Sequence, residues 1–118
     1  MNVGPPKRPA EGDIFAVMNK NVKKPRNEDM YKAILQLRSV DECMRFFDDL
    51  CSITELRAME QRFHVALLLA KDMTYNDILE QTGASSATIS RVNRSFRYGE
   101  DGYSTVFERL AEAEKGKK

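Results

Sequence analysis

The sequence predicts an all-α protein of about six helices, with a helix-turn-helix unit late in the chain. Three observations predict it. From residue 29 onward, apolar residues recur at three- and four-residue steps. No stretch alternates apolar and polar side chains as a half-buried strand would. One glycine, Gly83, separates two short segments that each open on Ser or Thr.

The chain has 118 residues, 42% hydrophobic and 31% charged, the balance of one folded domain rather than of a disordered polymer. No apolar run approaches the roughly 20 residues that span a bilayer. The stretch Met1 to Arg8 lacks the apolar core of a signal peptide. A cytoplasmic protein with no membrane partner is expected. Cys43 and Cys51 stand eight positions apart. On one helix that is about 12 Å, too far for a disulfide, so they read as free, buried thiols of a reducing compartment. One histidine, His64, and no Cys-x-x-Cys pair leave no metal-ligand set.

Residues 1–28 read as a basic arm. All four prolines lie there, with six basic and three acidic side chains. Its apolar piece, Ile14 to Met18, is a docking candidate, and Lys23, Lys24 and Arg26 are candidate phosphate contacts. A folded domain is expected over 29–115. Met30, Ile34 and Leu37 repeat at helical spacing. Ser39, with Glu42 three residues on, reads as a capping box. Val40, Cys43, Met44, Phe47, Leu50 and Cys51 form the next apolar stripe. With Phe46 beside Phe47, residues 29–52 carry more apolar surface than one short helix buries on one side, so a second copy or a compact bundle must cover it. Thr54 reads as the cap of a helix over about 55–72. There Leu56, Met59, Phe63, Ala66, Leu67 and Ala70 form a stripe that Val65, Leu68 and Leu69 broaden, marking it as central.

Residues 74–98 carry the function. Thr74 caps a short helix with Asp77 in the capping-box position, and Gly83 ends it. Ser85 or Ser86 caps the next helix, whose Ile89, Val92 and Phe96 face the core. This is the helix-turn-helix pattern, whose second helix enters the DNA major groove. Ser85, Ser86 and Thr88 offer hydroxyls beside backbone N–H groups at a positive helix end, suited to a phosphate or a base edge. Ala87 and Thr88 suit a thymine methyl. Arg91, Arg94 and Arg97 follow, and residues 85–98 hold no acid. The contrast with the rest of the body is sharp: residues 29–114 hold ten basic and fifteen acidic side chains. The other reading of the same residues is a solvated polar face on a helix hairpin. After Gly102, a last helix over 103–115 turns Val106, Phe107, Leu110 and Ala111 or Ala113 inward, with lysines at its end.

The stretch Gly83-Ala84-x-x-Ala87-Thr88-Ile89-Ser90-Arg91 resembles that of the Trp repressor superfamily, and within it the YerC/YecD-like group. The likeness runs over about residues 28–112 and includes the Leu-Leu-Leu-Ala-Lys-Asp-Met-Thr run before the motif. The resemblance implies an intertwined, all-α homodimer that binds double-stranded DNA, with two reading heads about one DNA turn apart. It maps DNA contacts to Tyr75, Asn76, Ser86, Ala87, Thr88 and Ser90. An Arg of the family becomes Asn76 and a Lys becomes Leu79, so the preferred site should differ, and Asn76 is a candidate adenine reader.

The resemblance also maps a tryptophan corepressor pocket onto Gln61 or Arg62, Arg91, Val92 and Ser95. Where the family has Gly after the Arg that stacks on the indole, this chain has Val92. Either Val92 and its neighbours fill the pocket, or it takes another ligand. The filled pocket is favoured, because a valyl side chain removes most of the room in a small site; no cofactor is then needed, and Arg91 is free for DNA.

The leading expectation is a dimeric DNA-binding transcriptional regulator, acting as a repressor. The alternative is an all-α interaction module that uses the helix-turn-helix as scaffold. An enzyme is disfavoured. His64 sits in an apolar helix, Ser85, Ser86 and Thr88 have no base nearby in sequence, and Asp48 and Asp49 point about 100° apart on a helix.

Overall fold

The computed structural model describes residues 25–116. Most of the basic arm, including Ile14 to Met18, and the lysines at 117 and 118 lie outside the described residues. Among the described residues there are six helices and no strand: α1 (Asp29–Ile34), α2 (Val40–Leu50), α3 (Ile53–Ala70), α4 (Tyr75–Thr82), α5 (Ser86–Tyr98) and α6 (Gly102–Gly116). They fall into two compact units, one up to Cys43 and one from Met44 onward.

In the first unit, α1 is short and none of its residues is buried. The Ser39 hydroxyl accepts the Glu42 amide N–H at 3.0 Å, as the capping pattern predicts. The Glu42 carboxylate reaches back one residue further than expected, accepting from the Arg38 amide at 2.9 Å.

In the second unit, α3 starts earlier than the sequence pattern placed it. Ser52, not Thr54, is the cap. Its hydroxyl accepts the Glu55 amide N–H at 3.1 Å, and the Glu55 carboxylate accepts the Ser52 amide N–H at 2.8 Å. A reciprocal pair satisfies two of the donors that a helix start leaves open, whereas Thr54, already inside the first turn, serves neither. The bond from the Ser52 backbone, then that from its side chain, holds the Glu55 carboxyl below the usual carboxylate range.

The core lies between the C-terminal half of α3 and the helix-turn-helix. Val65, Ala66, Leu68 and Leu69 meet Ile78 of α4, Ala84 of the turn, and Ile89 and Val92 of α5. The largest side chains fully sealed from solvent are Val65, Ile78 and Ile89. Full burial of such side chains contributes about 1.5–3 kcal/mol each. Outside this core, Met59 and Phe63 of α3 remain exposed.

Helix α6 departs from its expectation. Tyr103 and Phe107 turn toward the core, forming edge and stacked contacts with Phe63, Phe96 and each other at centroid distances of 5.5–6.3 Å. Val106 and Leu110 stay about half exposed, and Ala111 and Ala113 are exposed. Helix α6 has no buried residue, because among the described residues only this aromatic edge finds a neighbour. The α2 stripe behaves likewise. Val40 and Met44 are exposed, Phe46 and Phe47 are half-buried against each other, and the two free thiols are half-buried rather than buried.

Candidate nucleic-acid interface

Local chemistry explains each boundary of the helix-turn-helix. The Thr74 hydroxyl accepts the Asp77 amide N–H at 3.1 Å and opens α4. Gly83 closes it with φ +72°, a left-handed backbone that other residues adopt at a cost. The Ser85 hydroxyl accepts the Thr88 amide N–H at 3.1 Å, settling the choice of cap between the two serines. At the far end Gly99 stops α5, where a Cβ would collide with the Ser95 carbonyl.

Helix α5 is two-sided. Ile89 and Val92 are buried and Phe96 is half-buried against the core. At about 100° per residue, Ala87, Ser90, Arg91, Arg94 and Tyr98 lie round the opposite side. All five are exposed, Tyr98 most of all at 82%. Neither Arg91 nor Arg94 holds an ion pair among the described residues. A face with two free guanidinium groups, a hydroxyl and a phenol, on a helix of 13 residues or about 20 Å, suits a phosphate-lined groove.

The remaining candidates divide around this face. Ser86 is exposed at the first turn of α5, and Tyr75 and Asn76 are exposed at the first turn of α4. Ser85 is engaged as cap, and its hydroxyl also donates to the Thr88 Oγ1 at 3.1 Å, so these two hydroxyls serve the helix start first. Thr88 is half-buried. Arg97 is set apart from the other arginines: its Nε donates to the Asn93 Oδ1 at 2.9 Å, and its guanidinium lies 5.8 Å from the Phe96 ring centroid. Sequence reasoning missed Tyr98; its spacing of four from Arg94 was the available signal.

Of the residues mapped to a corepressor pocket, Arg62, Arg91 and Ser95 are exposed, while Val92 is 2% exposed and belongs to the core. The Val92 side chain is therefore already packed against protein. Gln61, the other candidate beside Arg62, is half-buried, and its amide donates to the Thr82 carbonyl at 3.2 Å.

A family model described as the Trp repressor protein matches residues 27–111. The uncharacterized protein YerC of Bacillus subtilis (strain 168) is 46% identical over 87 residues, 74% of this chain and 84% of that one. Two crystal structures share the fold. A TrpR-like protein from Eubacterium eligens ATCC 27750 is 53% identical, with a TM-score of 0.71 over 79% of this chain and 96% of its own. A proposed Trp repressor from Staphylococcus aureus is 42% identical, with a TM-score of 0.69 over 71% and 84% of the two chains.

Proposed function

The chain belongs to the Trp repressor family, and on that ground we propose that it is a sequence-specific DNA-binding transcriptional regulator, a repressor acting as a homodimer through residues 74–98. The observation that carries this reading is the outward face of α5, where Arg91 and Arg94 are exposed beside Ser90 and Ala87, without an ion pair among the described residues, while the inward face is locked into the core. Arg91 and Arg94 neutralise phosphates. Ser86, Ala87, Thr88 and Ser90 approach base edges, with Tyr75 and Asn76 of α4 beside them. Promoter occlusion is the mechanism: a bound dimer excludes the polymerase. The protein then acts where the bacterial chromosome lies, in the cytoplasm.

One observation supports the homodimer, and the expected palindrome would need it. A palindromic site requires two reading heads about 34 Å apart. The apolar side chains left open on α2, α3 and α6, among them Met44, Ile53, Met59, Val106 and Leu110, form the surface that a second copy covers. No corepressor is required in this reading, because Val92 fills the space that a small ligand would need.

Selection of bound fragments from sheared genomic DNA at near-physiological salt, followed by sequencing, tests the proposal. A recurrent palindrome with half-sites about one helical turn apart is the expected result. Enrichment of no motif, with or without added L-tryptophan, refutes it and leaves the interaction-module reading, for which the same exposed apolar side chains would serve a different protein; a motif that emerges only with tryptophan marks a missing corepressor. Within a recovered motif, Asn76→Ala should relax the preference at one base position. An unchanged preference at every position removes Asn76 from the reading set.

A further inference from the structure

The turn between α4 and α5 is held by a chain of hydrogen bonds that reaches outside the helix-turn-helix. Thr82 is its centre. The Thr82 hydroxyl donates to the Ile78 carbonyl at 2.7 Å and accepts the Ala84 amide N–H at 3.1 Å. The Gly83 amide donates to the Leu79 carbonyl at 2.9 Å. The Thr82 carbonyl is one of the last acceptors of α4, with no donor from its own helix once Gly83 turns left-handed. Gln61 of α3 supplies that donor at 3.2 Å, across 21 residues of sequence.

Gln61 stands one helical turn before Val65, on the stripe of α3 that packs on the reading head. The apolar contacts of Val65, Ala66, Leu68 and Leu69 press the two parts together without fixing a direction, since hydrophobic contact is non-directional. The Gln61 bond adds direction, at the turn, four residues before α5 begins. Base-edge hydrogen bonds tolerate only about 0.5 Å in length, so the setting of this turn decides whether Ser86 to Ser90 meet their bases.

We propose that Gln61 is a positioning residue for the reading head: its amide, through the Thr82 carbonyl, holds the α4–α5 turn at the angle for DNA. This rests on the DNA-binding reading above and adds to that site a residue from outside the helix-turn-helix.

Two substitutions separate direction from packing. Gln61→Leu keeps the volume and removes the donor; Gln61→Glu keeps the shape and sets a carboxylate against the Thr82 carbonyl. Each is compared with the wild-type full chain on a pool of random duplexes of about 30 base pairs, long enough for two half-sites, with no small molecule added. Wild type should enrich one motif. Both variants should bind it about 2–10-fold more weakly, the worth of one neutral hydrogen bond, while non-specific affinity and the slope of affinity against salt stay unchanged. Helix content by circular dichroism should also stay unchanged, and hydrogen exchange at the Gly83 and Ala84 amides should quicken several-fold.

Equal motif affinity in all three proteins overturns the inference. So does an equal loss on specific and random DNA with a flatter salt slope, which would make position 61 a phosphate contact or a general fold defect. If wild type shows no sequence preference, with or without added L-tryptophan, the DNA reading itself fails. The exchange rates at Gly83 and Ala84 then decide the Gln61 tie alone, and unchanged rates in both variants overturn it.

Discussion

Truncating Val92 tests the claim that the core has taken over the corepressor space. Val92 is 2% exposed and packs with Ile89, Ala84 and the α3 residues Val65, Ala66, Leu68 and Leu69. Val92→Ala removes two methyl equivalents. Their transfer out of water is worth about 1.6 kcal/mol, and an unrelaxed cavity of about 50 Å³ adds about 1.2 kcal/mol. The variant should therefore lose about 2–3 kcal/mol. Val92→Gly adds about 1 kcal/mol of helix-interior penalty, for about 3–4 kcal/mol in all. Against a typical domain stability of about 5–15 kcal/mol, both losses are readable in urea unfolding by circular dichroism. Chain concentration must be held constant, because any self-association adds a mass-action contribution. Saturating L-tryptophan is the second arm. A ligand at a hundred times its Kd would raise stability by about 2.7 kcal/mol, and none of that should appear in the wild type. A Val92→Ala loss below about 0.5 kcal/mol, or a wild-type midpoint that rises with tryptophan, refutes the filled pocket.

Arg94→Ala should flatten the dependence of log affinity on log salt by about 1.8, the share of two phosphates, one for each subunit of the homodimer, while Arg97→Ala should leave it unchanged, since Arg97 is held by Asn93 and lies against Phe96. Filter binding from low to moderate salt reads both; equal slopes for the two variants would show that the arginines are not partitioned. Ser85→Ala should cost about 1 kcal/mol through loss of the bond to the Thr88 amide, and Ser85→Gly only a few tenths, both measured by thermal unfolding. Gly83→Ala should cost about 1–2 kcal/mol because of its φ of +72°, and the loss should come with more freedom at the turn in hydrogen exchange. Tenfold dilution of the wild type should lower its melting midpoint, and Leu110→Glu, placing a carboxylate on an exposed apolar position of α6, should yield a monomer in sedimentation equilibrium; a dilution-independent midpoint would count against the homodimer.

The helix-turn-helix was legible because each of its boundaries is encoded locally. Thr74, Gly83 and Ser85 fix the ends of α4 and α5 with bonds spanning no more than four residues, which a sequence pattern can register. The buried side of α5 was legible for the same reason: Ile89, Val92 and Phe96 repeat at helical spacing. Thr54 was the wrong cap because two hydroxyls lie two positions apart, and the pattern weighed the later one; the decisive partner is Glu55, three residues after Ser52. The Gln61 tie joins residues 21 apart and has no local signature at all. Asn93 and Arg97 are spaced for an i, i+4 bond, yet spacing alone could not divide the three arginines into two free and one held.

Apolar periodicity misled most at α6 and along α3. It records that one side of a helix avoids water and says nothing of which surface it meets. Val106 and Leu110 follow the same pattern as Ile89 and Val92, yet the first pair is about half exposed and the second sealed. Two helix faces with equal patterns and unequal burial differ in where their partner comes from, within the chain or outside it. The charge distribution bears on the same question from the other side. Residues 29–114 carry a net −5, although residues 85–98 are purely basic. A phosphate backbone repels most of such a body and attracts one helix, so an encounter is productive in few orientations. That geometry weakens non-specific attachment, which depends on total positive charge, more than it weakens specific docking through α5. An acidic body is thus no argument against DNA binding. It restricts approach to the side on which Ser90, Arg91 and Arg94 stand.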